Sequence, residues 1–204
     1  MTATVDYYLA PQSPWTYLGH DRFRRIAEAA GATVNVMPVD VGKVFPVSGG
    51  LPLGQRAPQR QAYRLVELAR FRDALQLPLN VKPRHFPVPG DQAARLIIAV
   101  DQAAGSSAAM RLAGAVLTAV WAQERNIDDA QTLAELLAET GLPAAHADAA
   151  KAPAVQALYE RYTRQAIDAG VFGAPSYVIE GEIFWGQDRL DFVQRRLQGQ
   201  TKAP

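Results

Sequence analysis

The sequence predicts an α/β protein in which a large all-helical insertion separates the two halves of a small sheet. Segments rich in β-forming residues occur near the two ends of the chain and are missing from its middle. The middle instead shows helical periodicity with helix caps. We therefore expect a discontinuous α/β domain made of residues 1–41 and 159–204, and a helical insertion domain made of residues 42–158.

The N-terminal end carries a strand–helix–strand unit. Residues 5–9 are rich in β-formers and predict the first strand. Ser13 and Pro14 then supply an N-cap and a first-turn proline for a helix that Gly31 ends. Residues 33–37 predict a second strand, and a strand–helix–strand unit of this size places its two strands in parallel.

The middle of the chain is predicted to be one irregular loop followed by helices. Residues 42–58 contain many glycines and prolines, which predicts a long loop of the kind that often has a function. Helical stretches follow at residues 58–76, 91–104, 106–124, 129–139 and 153–169, with a further short helix within 143–154.

The β pattern returns only near the C-terminus. Residues 176–179 and 182–185 predict a hairpin around Glu180-Gly181, and Gly186-Gln187-Asp188 opens a last helix. The order of elements is therefore that of a thioredoxin-like fold with a large all-helical insertion.

Composition excludes several classes of function. A net charge of +1 gives no reason to expect nucleic acid or a membrane as a partner. The chain has no cysteine, so it forms no disulfide, no thiolate metal site and no redox centre from its own sulfur. The three histidines, His20, His85 and His146, lie far apart, which favours structural or surface roles over a metal site. With no signal-like N-terminus and no long apolar run, we expect a cytoplasmic protein.

Ser13-Pro14-Trp15-Thr16 is the most informative motif. It stands after the first strand and opens the first helix, where thioredoxin-type oxidoreductases carry Cys-x-x-Cys. A helix N-terminus stabilises a thiolate, yet the first position here is serine. The motif thus suggests a site for a thiolate from outside, most simply glutathione. The alternative is that Ser13 serves only as an N-cap.

Two distant segments support a ligand site. Ala174-Pro175 precedes the third strand, where we expect a cis peptide that faces Ser13 across a cleft. The backbone of Ala174 would then be free to pair with an extended peptide such as glutathione. Gln187 and Asp188 begin the last helix, where N–H groups suit a carboxylate and Asp188 suits an ammonium group. Asp188 also serves as a first-turn acid for its own helix.

Three segments together resemble the 2-hydroxychromene-2-carboxylate isomerase family, which is DsbA-like and related to kappa-class glutathione transferases. They are residues 13–18, 170–175 and 184–192, and the resemblance extends over nearly the whole chain. It implies that Ser13 is catalytic and hydrogen-bonds the glutathione thiolate. It further implies a homodimer, and glutathione contacts from Ala174, Pro175, Gln187, Asp188 and Arg60, the last of which stands where relatives have lysine.

The chain departs from this family at Gly50, where relatives have an asparagine that contacts the ligand. Glycine cannot supply that hydrogen bond, so the resemblance implies weakened glutathione binding. Gly50→Asn is then expected to tighten binding, provided that residue 50 faces the cleft and tolerates a side chain.

The function expected from these observations is glutathione-dependent isomerisation of an aromatic pyruvate-like acid, by reversible thiolate addition and bond rotation. The substrate is thus a small aromatic carboxylate. Its ring requires an apolar wall, for which the candidates are Trp15, Phe45 and Trp185, and its carboxylate requires a cation, for which the candidates are Lys43, Arg60 and Arg84. The alternatives are a kappa-like glutathione transferase or peroxidase, and a non-catalytic thioredoxin-fold module that binds extended peptides.

Overall fold

A computed structural model describes residues 2–199 and confirms the predicted α/β layout. Its four strands are β1 (Thr4–Leu9), β2 (Thr33–Pro38), β3 (Ser176–Ile179) and β4 (Glu182–Trp185). They form one mixed sheet in the order β2-β1-β3-β4. β1 and β2 are parallel, as the strand–helix–strand unit predicts, whereas the pairs β1–β3 and β3–β4 are antiparallel.

Most helices lie where the sequence predicts them. In the described part of the chain they are α1 (Pro14–Ala29), α2 (Val41–Ser48), α3 (Pro58–Leu75), α4 (Asp91–Ala104), α5 (Ser106–Trp121), α6 (Ala130–Glu139), α7 (His146–Ala149), α8 (Pro153–Asp168) and α9 (Leu190–Leu197). The domain boundary at residue 158 stays a prediction, and α8 runs across it.

Two local predictions are wrong. Residues 42–58 are not one irregular loop, because α2 and a 3₁₀ turn at Leu53–Gln55 occupy most of that segment. Asp40 caps α2 by accepting a hydrogen bond from Gly42 N at 2.8 Å, and Gly49 ends the helix at a φ of 76°. The last helix does not begin at Gln187, since a 3₁₀ turn at Gln187–Arg189 precedes α9.

One hydrophobic core joins the sheet to the insertion helices. Tyr7 on β1 stacks on Tyr177 of β3 with ring centroids 5.3 Å apart, and Phe23 of α1 packs against both rings. The same core continues through the buried faces of α4 and α5, which pack on β2 and α1. The helical segment therefore supports the helix that begins at Ser13.

His20 ties α1 to α5 inside this core. Tyr7 donates its hydroxyl proton to His20 Nδ1 at 3.1 Å, and His20 Nε2 donates to Met110 O at 2.8 Å. Gly114 lies against the ring, where a Cβ atom would be 3.2 Å from His20 Cδ2. Burial lowers the pKa of His20. This histidine therefore has a structural role.

No helix within residues 2–199 combines the length and the apolar character needed to cross a bilayer. The same residues contain no group of three or more histidine, aspartate or glutamate side chains that could hold a metal ion. His85 precedes α4 in sequence and His146 lies on α7, whereas His20 lies on α1.

Acidification is expected to destabilise the fold through His20. The folded pKa is lowered, so the unfolded chain takes up a proton at its ordinary pKa of about 6.5 while the folded protein does not. Stability is therefore fully present above about pH 6.5 and is lost as the pH falls toward the folded pKa. Urea unfolding at neutral and mildly acidic pH measures the loss.

His20→Gln should lose less stability on acidification than the wild type, although it is less stable at neutral pH. The matched control is His85→Gln, which removes a partly exposed histidine and should lose as much as the wild type. Equal losses in His20→Gln and the wild type would contradict the assignment to His20.

Candidate active site

Ser13 links the start of α1 to the loop before β3. Its backbone is extended, with φ −78° and ψ 126°, and Ser13 Oγ accepts a hydrogen bond from Thr16 N at 3.2 Å. The same hydroxyl donates to Ala174 O at 3.4 Å, which is a long contact. The predicted N-cap is thus confirmed, and Ser13 faces the loop that was predicted to share a cleft with it.

The Ala174–Pro175 peptide bond is cis, as predicted. Two hydrogen bonds hold the surrounding loop: Ser176 Oγ donates to Gly173 O at 2.8 Å, and Gly186 N donates to Pro175 O at 2.9 Å. Among the described residues, none accepts a hydrogen bond from Ala174 N. Ala174 therefore presents an unused backbone donor beside the Ser13 hydroxyl.

A cleft of about 470 Å³ opens between α3 and this loop. The structure brings together most of the predicted site residues there: its lining includes Trp15, Arg60, Ala174, Trp185, Gln187 and Asp188. Ser13 and Pro175 adjoin the cleft through Ala174. Residues that are 161 positions apart in sequence thus meet at one surface.

Lys43, Phe45 and Arg84 are not among the residues that line the cleft. Lys43 is exposed on α2, the helix that forms where an open loop was predicted. Phe45 packs against Gly50, and Arg84 is exposed, with its backbone N–H donating to Glu124 Oε1 at 3.2 Å. None of the three lines this cleft, although Phe45 lies next to it through Arg56, whose guanidinium carbon is 5.9 Å from the centroid of the Phe45 ring; their roles as substrate contacts stay predictions.

The environment of Gly50 corrects a second expectation. Gly50 N donates to Phe45 O at 3.0 Å, directly after α2. A Cβ atom on residue 50 would lie 2.5 Å from Phe45 Cδ1 and 3.0 Å from Cγ, so a side chain requires the ring to move. Residue 50 also does not line the cleft. Gly50→Asn is therefore not expected to tighten binding of a ligand there.

One face of α3 forms the wall that the sequence analysis missed. Arg60 is joined there by Tyr63, Arg64, Glu67 and Phe71. The intervals of three and four residues put these side chains on one side of a helix, so the spacing could have identified them once Arg60 was chosen. Other lining residues that were missed are Arg56, Gln59, Gly186 and Arg189.

Three aromatic side chains, Trp15, Phe71 and Trp185, line the cleft. Trp15 meets Phe71 edge-on with ring centroids 6.1 Å apart, and Trp185 meets Phe172 at 4.8 Å. Gly173 allows Trp185 to lie close, since a Cβ atom there would be 2.6 Å from Trp185 Nε1. The cleft can therefore hold a planar apolar group between indole and phenyl surfaces.

Three arginines give the α3 side of the cleft a positive charge. Burial, and then the charge of Arg60, lower the pKa of Arg56. Burial, and then the charge of Arg56, lower the pKa of Arg64 to about 10. The nearby carboxylates are already paired, with Asp188 2.8 Å from Arg189 NH1 and Glu67 2.8 Å from Arg70 NH1. An anion is therefore the ligand that suits this side.

Gln187 fixes the 3₁₀ turn against α1. The residue is 1% exposed, and Arg22 NH1 donates to its backbone oxygen at 3.3 Å and to Oε1 at 3.2 Å. Its amide Nε2 is buried with no acceptor. Gly19 makes the close approach possible, because a Cβ atom there would lie 2.8 Å from Gln187 Cβ. This packing positions Asp188 at the cleft.

A second, more polar groove of about 810 Å³ lies over β1 and β2 beside α8. It is the larger of the two, but its lining includes none of the predicted site residues. We therefore assign the candidate active site to the cleft at Ala174, where the helix N-cap, the unused backbone donor and the charged wall meet.

Comparisons with known proteins agree with this architecture. The family described as DSBA-like thioredoxin domain matches residues 4–198. A 2-hydroxychromene-2-carboxylate isomerase from Sphingobium xenophagum is 28% identical over 97% of this chain and 99% of its own length. One from Pseudomonas putida is 28% identical over 95% of this chain and 93% of its own. A solved structure of an enzyme with this name has a TM-score of 0.79 at 24% identity, covering 98% of this chain and 100% of that one.

Gly19→Val is expected to lower the free energy of unfolding by about 1–3 kcal/mol, because the new side chain overpacks the turn at Gln187. The matched control is Gly54→Val, since a Cβ atom on residue 54 meets nothing within 4 Å. Urea unfolding of both variants measures the difference. Equal stability of the two variants would show that Gly19 is not the close contact that positions this turn.

Proposed function

The chain belongs to the DSBA-like thioredoxin domain family, and we propose that it is a glutathione-dependent isomerase of an aromatic pyruvate-like acid. The observation that carries the proposal is a serine hydroxyl at the helix N-cap, next to an unused backbone donor, in a chain without cysteine. Relatives named 2-hydroxychromene-2-carboxylate isomerase, aligned over nearly the whole chain, support the reaction class.

The polar groups around the cleft fit glutathione. Ala174 offers a free N–H for the backbone of an extended peptide. Arg60 is exposed on α3 and suits a terminal carboxylate, and Asp188 suits an ammonium group once it exchanges its surface ion pair with Arg189. Arg60 and Asp188 thus match one of the two carboxylates and the one ammonium group of glutathione.

Ser13 would hold the sulfur in its charged form. Bound glutathione supplies a thiolate whose reversible addition to a conjugated carbon frees a double bond to rotate. The Ser13 hydroxyl makes only a long contact to Ala174 O, so its proton is available to a better acceptor. Hydrogen bonding to a thiolate, together with the positive end of α1, lowers a thiol pKa. Ser13 acts in this scheme without becoming covalently attached.

The aromatic pairs would hold the substrate. Trp15, Phe71 and Trp185 present apolar ring surfaces to the cleft, and Phe172 packs against Trp185. Stacking on such surfaces orients a planar ring and excludes water from the reacting carbon. These residues therefore bind and orient the substrate.

Ser13→Ala is expected to reduce glutathione-dependent turnover of 2-hydroxychromene-2-carboxylate about tenfold to a hundredfold, the effect of one charge-assisted hydrogen bond in the transition state. It also removes the N-cap, which lowers the free energy of unfolding by about 0.5–2 kcal/mol. Steady-state rates and urea unfolding measure the two effects separately.

Ser13→Asp separates capping from catalysis, because an aspartate carboxylate also caps helices but only accepts hydrogen bonds and cannot donate one to a thiolate. We expect near wild-type stability with turnover as low as in Ser13→Ala, whereas Ser13→Thr should retain activity. Calorimetry with glutathione completes the test. Failure of the wild type to bind glutathione at about millimolar concentration, or full turnover by Ser13→Asp, would contradict the proposal. Glutathione binding without isomerisation, but with turnover of another electrophile, would indicate a transferase.

A further inference from the structure

Arg64 is a cation in the cleft with no acidic partner. Its guanidinium carbon lies 5.1 Å from the centroid of the Phe86 ring and 5.7 Å from that of Trp121. Its NH2 atom is buried and has no acceptor among the described residues. The cleft is thus lined by a guanidinium that two aromatic rings hold in place and that nothing in residues 2–199 neutralises.

The charged groups around Arg64 do not compensate it. Arg56 and Arg60 are also positive, and Arg56 Nε donates to the backbone oxygen of Leu51 at 2.8 Å. Glu67, one turn further along α3, is paired with Arg70 at 2.8 Å. Burying the NH2 atom of a charged guanidinium without an acceptor is unfavourable, so Arg64 lowers the stability of the free protein unless a ligand in the cleft compensates its charge.

A carboxylate is the partner that suits this geometry. Arginine binds a carboxylate through charge-assisted N–H···O hydrogen bonds, and Arg64 lines the cleft while the Phe86 and Trp121 rings restrict its movement. Arg60 lies one turn from Arg64 on the same face of α3, but it is exposed, whereas Arg64 is partly buried against the rings. The two arginines therefore suit different anionic groups.

We propose that Arg64 is a specificity-determining residue that binds the carboxylate of the substrate while the aromatic walls hold its ring. This inference rests on the proposed function and names the part of the site that selects an acid. Arg60 remains for the carboxylate of glutathione, and Arg56 adds to the attraction for an anion. The site therefore prefers arylpyruvates to uncharged aryl ketones of similar shape.

The test compares the binding of two probes, phenylpyruvate and the uncharged 4-phenyl-2-butanone, by calorimetry with and without glutathione. Arg64→Met keeps an apolar chain against Phe86 and Trp121 but removes the charge. It should weaken phenylpyruvate binding about tenfold to a hundredfold and leave the ketone unchanged. The matched control is Arg72→Met, because Arg72 lies on α3 outside the cleft and pairs with Asp73. It should behave as the wild type.

Equal affinity of the wild type for the two probes, or unchanged phenylpyruvate affinity in Arg64→Met, would overturn the proposal. A lower melting temperature in Arg64→Met with an unchanged ratio of affinities would assign Arg64 to packing alone. Glutathione titrations of the same variants test the proposed function separately, and Arg64→Met should bind glutathione as the wild type does. Loss of the acid preference in a protein that binds no glutathione would support this inference and refute the proposed cofactor.

Discussion

The Ser13 hydroxyl joins two parts of the chain on which the cleft depends. It accepts from Thr16 N and so fixes the first turn of α1, and it points its proton at Ala174 O in the loop before β3. α1 is held from the other side by His20, whose ring bonds to β1 and to α5. The helix N-terminus, the Ala174 backbone and the sheet are therefore one connected unit, and α3 forms the opposite wall.

The charge of the cleft then follows from which side chains are paired. The carboxylates at its edge, Glu67 and Asp188, have arginine partners on the surface, while Arg64 on α3 has none. Exposed ion pairs contribute little to stability and exchange easily, so Asp188 can change partner at small cost. The partly buried guanidinium of Arg64 cannot move as freely because it contacts the rings of Phe86 and Trp121. Asp188 can thus exchange its ion-pair partner at one side of the cleft, whereas Arg64 keeps a positive charge in place at the other.

Local signals in the sequence predicted the parts of the fold that depend on neighbouring residues. The N-cap at Ser13, the hairpin from residue 176 to 185 and the cis peptide at Pro175 all follow from short motifs. The sequence analysis missed α2 because residues 42–58 are rich in glycine and proline. The helix forms there nonetheless, and Asp40 caps it by accepting a hydrogen bond from Gly42 N. The cis peptide at Phe86–Pro87 had no such motif and was not predicted.

The site residues likewise divide into those that local motifs identify and those whose position depends on tertiary packing. Trp15, Ala174 and Asp188 belong to recognisable motifs, and the structure places all three at the cleft. Lys43 and Arg84 were chosen for charge alone, and tertiary packing places neither of them there. Arg64 and Phe71 were missed because a helical face shows its function only when the element opposite it is known. The packing of Gly50 against Phe45 is likewise a tertiary contact that no local pattern contains.

The central claim is that this site stabilises a thiolate that the protein does not itself carry. The most direct measurement is the ultraviolet absorbance of the thiolate as glutathione bound to the protein is titrated with base. We expect a thiol pKa well below the ordinary value of about 8.5, and a return toward that value in Ser13→Ala. A bound thiol that titrates with the pKa of free glutathione in the wild type would contradict the account.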